Sequence, residues 1–338
     1  MPTVDLGYEI YRANSLNATT GLYNFSNIRY AAPPTGENRF AAPQPPAKNR
    51  STIQFNRPEP VCPQAGPLWG LTVQDFLADY FAGERSFNRS DFESPLPAGF
   101  SLDNINLHSL NTSIIPPADP RTTEDCLFLD VIVPQSIFNK KKSKKNRRGA
   151  AVLVWIYGGG YTGGSKTGGF NPTGLLARSE DNGDDGVIYV AINYRLGAFG
   201  WLSGPTFQEN GTANAALHDQ RFALEWVQKH IGKFGGDPKR VTVFGESAGG
   251  GSIMGQITAY GGKKGPAPFA QVSLSTGRDL LGQDGSLISM SGHPAVSGVR
   301  PHCLEESARA DLPAVPQAAE GVDHPGGSSV GYVDPSAG

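Results

Sequence analysis

The chain has 338 residues and a formal net charge of −2, with 18% of its residues charged. This length allows one large α/β domain or two domains of average size. The nearly balanced charge gives no general argument for nucleic acid or an anionic membrane surface as a partner, and no apolar run approaches the ~20 residues that cross a bilayer.

The N-terminal part of the chain predicts strands joined by long irregular connections. Val4–Arg12 and Leu22–Tyr30 are rich in β-prone residues and lie on either side of a polar turn. Residues 31–66 contain many Pro and Asn residues, which favours a surface connection. Residues 67–120 are irregular apart from a short helix expected near Val73–Phe81. An irregular segment of this length inside a compact domain is typically a lid or a binding loop.

The central part of the chain predicts a sheet that is covered on both faces. Three segments are almost continuously apolar, as expected for buried strands, namely Leu127–Val133, Ala151–Tyr157 and Val187–Asn193. Apolar residues at helical spacing predict a helix from about Ala213 that ends at Gly235 and Gly236. A strand over Val241–Phe244 and a helix over Ser252–Tyr260 follow. This order of elements is typical of a doubly wound, mostly parallel α/β sheet.

The composition of the chain changes near residue 270. From Gln271 to Gly338 the only aromatic residue is Tyr332, and Gly and Pro are scattered without a period of 2 or 3.6. Such a segment buries too little apolar surface to offset its chain entropy. We therefore expect residues 1–270 to form the α/β domain, with a sheet that is truncated after the last predicted helix, and residues 271–338 to form a low-order tail.

Ser247 lies in the run V-T-V-F-G-E-S-A-G-G-G, from Val241 to Gly251. The run contains G-x-S-x-G between an expected strand and an expected helix, which is the context in which this pattern holds a catalytic serine. A sharp strand-to-helix turn strains the backbone at the serine, and Gly245 and Gly249 remove side chains that would clash there. The alternative is an ordinary glycine-rich turn, since the chain has 43 glycines. We interpret Ser247 as a nucleophile.

A second glycine-rich segment, Tyr157–Tyr161, follows the strand expected over Ala151–Ile156. Glycines leave backbone N–H groups open to a ligand, and such donors hold the negative oxygen of a tetrahedral intermediate in acyl-transfer enzymes. The residue after the nucleophile, Ala248, offers a further N–H. Gly159, Gly160 and Ala248 are therefore the expected oxyanion hole, and a flexible glycine loop is the alternative.

Three sequence blocks resemble the type-B carboxylesterase/lipase family, which includes the cholinesterases. Phe234–Gly249 is similar to the family's nucleophile signature, Glu124–Pro134 to its second signature, and Asn193–Gly200 to a further block. The likeness extends over about residues 4–269. It implies an α/β-hydrolase fold and the hydrolysis of carboxylic esters through an acyl-enzyme on Ser247, without a cofactor.

The resemblance also implies a disulfide. The chain has three cysteines, and their number allows a pair between Cys62 and Cys126 that leaves Cys303 over. Cys126 corresponds to a family cysteine that pairs with an upstream one, here Cys62, and the loop that they close walls the substrate site in the family. Trp69 in this loop and Tyr161 beside the glycines are candidate residues of the substrate pocket.

The catalytic acid and histidine of such a hydrolase are not identified in this chain. In the family both lie well over a hundred residues after the nucleophile, in the order Ser, acid, His. Glu305–Glu306 and His324 follow Ser247 in that order but lie in the predicted tail, while His218 and His230 belong to the helix before the serine. No His or Cys spacing indicates a metal site. We expect the isolated chain to be poorly stable and weakly active or inactive.

Hydrolysis of a small-molecule or lipid ester is the leading function. The alternatives are a non-catalytic, cholinesterase-like interaction module and a non-functional fragment. Six N-x-[S/T] sequons and the implied disulfide favour a secreted protein, although the N-terminus has no signal-peptide pattern. The sequons are at Asn17, Asn24, Asn49, Asn88, Asn111 and Asn210.

Overall fold

A computed structural model describes residues 1–65, 80–84, 86, 119–140, 148–181, 186–263, 265–275 and 287–291. All of them belong to the first of the two units into which the chain divides, Met1–Pro294. The helix expected near Val73–Phe81 lies outside the described residues except at its end, where Tyr80 and Phe81 are helical. The boundary expected near residue 270 stays a prediction.

Five strands come first in the described chain, and helices then separate the strands from Phe128 to Ser275. The strands are β1 (Thr3–Asp5), β2 (Glu9–Arg12), β3 (Ser15–Asn17), β4 (Leu22–Arg29), β5 (Asn49–Gln54), β6 (Phe128–Pro134), β7 (Ala150–Ile156), β8 (Val187–Ile192), β9 (Gly236–Glu246), β10 (Gln271–Ser275) and β11 (Leu287–Ser291). The helices are α1 (Gln135–Lys140), α2 (Thr173–Arg178), α3 (Gly197–Trp201), α4 (Pro205–Gln208), α5 (Ala215–His230) and α6 (Ala248–Thr258). None of the described helices is both long and apolar enough to cross a membrane.

The main sheet has eight strands in the order β11-β10-β9-β7-β8-β6-β4-β3. The four strands β10, β9, β7 and β8 run parallel, and the neighbours on either side of them are antiparallel. Helices connect the parallel strands, with α2 between β7 and β8 and α6 between β9 and β10. A smaller sheet has the order β1-β2-β5. The predicted α/β sheet with a parallel centre is confirmed.

Both faces of the central strands are buried, and β8 illustrates why its sequence is continuously apolar. Ile188, Val190 and Ile192 on one face have no exposed surface, and Tyr189 and Ala191 on the other are only 2% exposed. Successive side chains of a strand point to opposite faces, so a strand covered on both sides needs apolar residues throughout.

Helix α5 and the short 3-10 turn after it bury one apolar face. Leu224 and Val227 on the helix, and Ile231 and Phe234 on the turn, have no exposed surface. Their spacing of three or four residues keeps them on the same side of the helix. Gly235 follows with a φ of 99° and ends the turn. The chain then enters β9, which pairs with β7.

The structure differs from the sequence expectations at two places. The surface connection expected over residues 31–66 contains β5, an exposed strand that pairs with β2. The sheet also continues past α6, because β10 pairs with β9 in parallel and β11 pairs with β10. Val272 and Leu274 alternate with polar residues in β10, but a five-residue alternation is too short to be distinguished from the glycine-rich segment around it.

Cys62 and Cys126 form a disulfide whose Cα atoms are 5.1 Å apart. Cys126 is completely buried, two residues before β6. The cysteines are 64 residues apart in sequence, and closing a loop of this length contributes about 4 kcal/mol in the chain-entropy model. The pair implied by the family resemblance is therefore present, and it fixes the segment before β6 to the segment that follows β5.

Candidate active site

Ser247 joins the end of β9 to the start of α6. Its backbone has a φ of 53° and a ψ of −122°, and a positive φ is strained for a residue that carries a Cβ atom. The serine is exposed, whereas Ala248, Gly249 and Gly250 directly after it are buried. The strand–turn–helix context expected for G-x-S-x-G is present, and it exposes the serine side chain at a tightly packed junction.

Packing against β7 explains the two glycines of this turn. A Cβ atom on Gly249 would overlap the carbonyl oxygen of Ile156, and one on Gly245 would lie 2.8 Å from the same oxygen. Rotation of a side chain cannot relieve contacts with backbone atoms in a close-packed interior. The clash that the sequence predicts at these positions thus comes from the neighbouring strand and, at Gly245, also from the backbone of Gly249, whose carbonyl carbon would lie 2.7 Å from the added Cβ atom.

The glycine loop that follows β7 contacts the serine. Ile156 pairs with Gly245 across β7 and β9, so the two parallel strands end at the same level of the sheet. A Cβ atom on Gly158 would lie 2.8 Å from Oε2 of Glu246 and 3.0 Å from Cβ of Ser247. The lack of a side chain at Gly158 lets the loop approach Ser247. The sequence alone does not distinguish this glycine from the next two, because the contact depends on the strand register.

Gly159 and Gly160 form the bend of the loop, with φ values of 106° and 61°. The Gly159 carbonyl accepts hydrogen bonds from the N–H groups of Thr162 and Gly163, so the loop folds back on itself. Within the described part of the chain, no hydrogen bond involves the N–H groups of Gly159 and Gly160. Ala248 is the first residue of α6, where an N–H has no acceptor inside the helix. The three expected oxyanion donors therefore belong to two segments that meet at Ser247.

Tyr157 and Tyr194 brace the start of the glycine loop. Their rings stack with centroids 4.4 Å apart. The Tyr194 hydroxyl donates to the Tyr157 carbonyl at 2.6 Å, and the Tyr157 hydroxyl donates to the Tyr194 carbonyl at 3.2 Å. Burial raises the pKa of both hydroxyls, so they keep their protons and remain donors. This pair links the Asn193–Gly200 block to the loop and was not indicated by the sequence.

Tyr161, a predicted pocket residue, lies at the end of the glycine loop and packs against Trp201 with ring centroids 4.3 Å apart. A Cβ atom on Gly251, in the first turn of α6, would overlap the Tyr161 hydroxyl. The Tyr161 hydroxyl therefore lies against the first turn of α6, the helix that follows Ser247. Trp69, the other predicted pocket residue, lies outside the described residues.

The disulfide segment also holds the glycine loop. The Gln64 side chain donates to the Gly164 carbonyl at 2.8 Å and accepts from the Gly164 N–H at 3.2 Å. The Ala65 N–H donates to the Thr162 carbonyl at 2.9 Å. Because Gln64 lies two residues after Cys62, the disulfide is connected to the loop by three hydrogen bonds.

A buried ion pair joins the Asn193–Gly200 block to helix α5. Arg195 and Asp219 have side chains that are 2% and 0% exposed, and Nη2 of the arginine lies 2.7 Å from Oδ1 of the aspartate. A second hydrogen bond, from Nε to Oδ2, has a length of 2.8 Å. Arg195 also donates to the carbonyls of Arg39 and Ala41. These bonds satisfy the guanidinium and hold the segment before β5 against the domain.

The acidic residues of the Glu124–Pro134 block have structural partners. Glu124 accepts two hydrogen bonds from Arg39, and Asp125 accepts two from Arg29. The next residue is Cys126 of the disulfide. Two-bond contacts of this kind hold both partners in one orientation. This block therefore anchors the N-terminal segments beside the site and places no carboxylate on Ser247.

The two described histidines do not form a hydrogen bond with Ser247. His218 lines an open cleft between α5 and α6, and His230 packs between Tyr8 and Trp226. Burial lowers the pKa of His230 to about 4. The other sequence candidates, Glu305–Glu306 and His324, lie outside the described residues. Within the part of the chain that the structure covers, no group of three His, Cys, Asp or Glu side chains is arranged to hold a metal ion.

Sequence comparison relates the chain to esterases and lipases. Residues 12–265 match the model of the carboxylesterase family. Carboxylesterase patB of Penicillium expansum is 47% identical over 279 residues, which are 80% of the chain and 47% of that relative. Lipase 2 of Geotrichum candidum is 34% identical over 267 residues, which are 78% of the chain and 42% of that lipase. A secreted lipase of Arthroderma benhamiae is 43% identical over 162 residues, 46% of the chain and 30% of that lipase. The chain spans about half the length of patB and less than half the length of Lipase 2.

Solved structures show the same relationship. Aspergillus niger EstA has a TM-score of 0.57 and 30% identity, with 80% of the chain and 40% of EstA covered. A thermophilic PNB esterase has a TM-score of 0.54 and 30% identity, with 80% and 43% covered. These neighbours are esterases of the α/β-hydrolase fold, so the fold expected from the sequence is confirmed.

Proposed function

The chain belongs to the carboxylesterase family, and we propose that its chemistry is the hydrolysis of carboxylic esters with Ser247 as the nucleophile. The observation that supports this most directly is the junction between β9 and α6. There a serine with a positive φ is exposed beside a glycine loop, and Gly158 of that loop leaves no room for a side chain against the serine Cβ.

In the proposed reaction, the Ser247 hydroxyl oxygen attacks the ester carbonyl carbon and loses its proton to a base. The N–H groups of Gly159, Gly160 and Ala248 hold the oxyanion that forms, and the alcohol leaves to give an acyl-enzyme that water hydrolyses. The positive end of the α6 dipole adds to this stabilisation. In subtilisin, removing one oxyanion donor lowers turnover by roughly 10²–10³-fold, so the arrangement of this loop has a large effect on rate.

The base and the acid are not among the described residues that approach Ser247. In a subtilisin-type site, loss of the histidine alone lowers turnover on the order of a millionfold. We therefore propose that the 338-residue chain turns over esters slowly, with the oxyanion donors and substrate binding supplying the remaining rate. Residual activity of this kind depends on Ser247 and on the glycine loop together.

The proposed substrate is a small-molecule or lipid ester. Tyr161 and Trp201 form an aromatic pair at the end of the glycine loop, and we assign this pair to the wall of the substrate pocket. Aromatic side chains bind acyl chains and rings by burial of apolar surface. The relatives are named carboxylesterases and lipases, so short and long acyl chains both belong in the assay.

The experiment treats the purified chain with a fluorophosphonate probe and with p-nitrophenyl acetate and palmitate. We expect labelling and slow hydrolysis that Ser247→Ala abolishes, while Ser203→Ala, at an exposed serine outside the site, changes neither. Equal labelling and hydrolysis by the wild-type chain and by Ser247→Ala would rule out the proposed nucleophile.

A non-catalytic interaction module is the second candidate. Helix α6 favours it, because Met254 and Ile257 are 46% and 36% exposed there, and exposed large apolar side chains often belong to contact surfaces. A folded chain that does not react with the probe supports this function. A chain that neither reacts nor melts cooperatively is a non-functional fragment.

A further inference from the structure

Four of the six sequons lie within the described residues, and the structure separates them by environment. Asn17 and Asn210 are exposed and their sequons extend into turns, Asn49 is exposed at the first position of strand β5, and Asn24 is half-buried within β4. N-linked glycans are bulky and polar, so they are compatible only with sites that remain at the surface of the folded protein. We propose that Asn17 and Asn210 carry N-linked glycans and that Asn24 does not.

Asn17 ends β3 at the turn that leads into β4. Its Oδ1 accepts hydrogen bonds from the N–H groups of Thr19 and Thr20 at 3.0 and 3.2 Å. These bonds engage the carbonyl oxygen of the side chain and orient the amide. Its Nδ2, the atom that accepts the sugar, makes no hydrogen bond within the described part of the chain, and the residue is exposed.

Asn210 lies in the turn between α4 and α5. The Gly211 N–H donates to the Phe207 carbonyl at 2.8 Å, and the Thr212 N–H donates to the Phe40 carbonyl at 2.8 Å. The backbone on the C-terminal side of Asn210 is therefore fixed. The asparagine side chain itself is exposed and has no hydrogen bond to any described residue, which leaves room for a glycan.

Asn24 provides the internal comparison. It lies in β4, where it pairs with Ser15 of β3 on one side and with Ile132 of β6 on the other. Its Oδ1 accepts a hydrogen bond from Ser26, and the intervening residue Phe25 is only 1% exposed. A glycan here would be attached to a half-buried side chain on a strand that is paired on both sides.

Two observations outside the sequons support an oxidising, secretory environment in which such transfer occurs. The structure contains the Cys62–Cys126 disulfide, and disulfides persist in secreted proteins. The chain also matches a secreted lipase. In the transfer, a bond forms between Asn Nδ2 and the anomeric carbon of an oligosaccharide. The bond from that carbon to the diphosphate of a polyprenyl donor breaks, and one amide proton leaves with the lipid diphosphate.

The test expresses the whole 338-residue chain behind a heterologous secretion leader in yeast. The product is treated with N-glycosidase in H₂¹⁸O, which converts a glycosylated asparagine to ¹⁸O-labelled aspartate, and its peptides are mapped by mass spectrometry. We expect labelled aspartate at positions 17 and 210 and unmodified asparagine at position 24. Asn17→Gln and Asn210→Gln should each remove one glycan from the intact mass, while Asn24→Gln and the sequon-preserving Thr212→Ser should remove none.

Unmodified asparagine at either position 17 or position 210 overturns the proposal for that site, and a glycan at position 24 overturns the structural criterion. If the secreted product is not recovered, the chain is translated in a cell-free system with endoplasmic-reticulum microsomes, which does not require a stable fold. The masses of Asn17→Gln and Asn210→Gln should again each be lower by one glycan. The result is independent of ester hydrolysis, so failure of one proposal leaves the other intact.

Discussion

The hydroxyl of Tyr194 donates a 2.6 Å hydrogen bond to the carbonyl of Tyr157, the residue from which the glycine loop departs. Both residues are buried and their rings stack. The Tyr157 carbonyl also restricts the turn between β9 and α6, since a Cβ atom on Gly249 would lie 2.9 Å from it. One hydroxyl therefore fixes a carbonyl that contacts both halves of the candidate site.

Tyr194→Phe should loosen the glycine loop. The change removes the hydroxyl without removing the ring, and a buried acceptor that loses its donor costs about 1–3 kcal/mol. We expect faster amide hydrogen exchange over residues 157–164 and slower labelling by the fluorophosphonate probe. Tyr157→Phe is the matched control. It removes the hydroxyl that donates to the Tyr194 carbonyl, which lies outside the glycine loop. Equal exchange in the loop for wild type and Tyr194→Phe would contradict the bracing role.

Gly249→Ala should disrupt the turn between β9 and α6 that contains Ser247. Its Cβ atom would overlap the Ile156 carbonyl oxygen, and relief requires β7 or α6 to move, at a cost of about 1–3 kcal/mol. We expect a large fall in the free energy of unfolding in urea and loss of probe labelling. Gly174→Ala in α2 is the control: its Cβ atom meets nothing within 4 Å, and alanine should stabilise the helix by about 1 kcal/mol. Retained labelling by Gly249→Ala would show that the turn is less constrained than the packing indicates.

Asp219→Asn should destabilise the chain strongly. It leaves the Arg195 guanidinium buried without its negative partner, and breaking a buried pair in this way costs about 3–5 kcal/mol. Asp181→Asn is the matched control, because it removes a carboxylate from a pair with Arg178 in which the side chains are 87% and 46% exposed. Exposed pairs contribute at most about 1 kcal/mol. Similar urea midpoints for the two variants would argue against a structural role for the buried pair.

Stability should fall as the pH decreases through the range in which His230 titrates. Its pKa is about 4 in the folded chain, lowered first by burial and then by Lys229 and Lys233, against 6.5 for a free histidine. As the pH falls, the unfolded chain protonates this histidine before the folded chain does. The free energy of unfolding therefore decreases between about pH 6.5 and about pH 4.

His230→Phe isolates this contribution to the pH dependence. Phenylalanine keeps an aromatic ring between Tyr8 and Trp226 and has no proton to gain, while the Nδ1 of His230 lacks a hydrogen-bond partner in the described structure. We expect urea unfolding at pH 7 and pH 4.5 to differ less for the variant than for the wild-type chain. An unchanged difference would assign the acid sensitivity to other groups.

The parts of the molecule that the sequence predicts are those with a local signal. The apolar run Val187–Asn193 predicts β8 because both faces of that strand are buried, and helical spacing predicts α5 with its end near Gly235. The G-x-S-x-G pattern points to Ser247 because glycine and serine have restricted uses in a strand-to-helix turn. In each case the residues that carry the signal lie within about twenty positions of one another.

Other features depend on contacts between distant segments and have no local signal. The proximity of Gly158 to Ser247 follows from the register of β7 and β9, and the bond between Tyr194 and Tyr157 follows from the pairing of β7 with β8. Strand β10 is missed for a different reason: five residues within a glycine-rich segment carry too short an alternation to be recognised. The Cys62–Cys126 pair is expected from the family resemblance, since three cysteines alone leave its connectivity open.

The pairing of Ile156 with Gly245 also has a consequence for the time course of folding. The two strands are separated in sequence by β8 and α5, so their alignment requires closure of a long loop, which is slow compared with the formation of a local turn. The turn at Ser247 can form early, but the glycine loop reaches it only when β7 and β9 are in register. During refolding, we therefore expect any labelling of Ser247 by the fluorophosphonate probe to recover with completion of the central sheet rather than with formation of the turn that holds the serine.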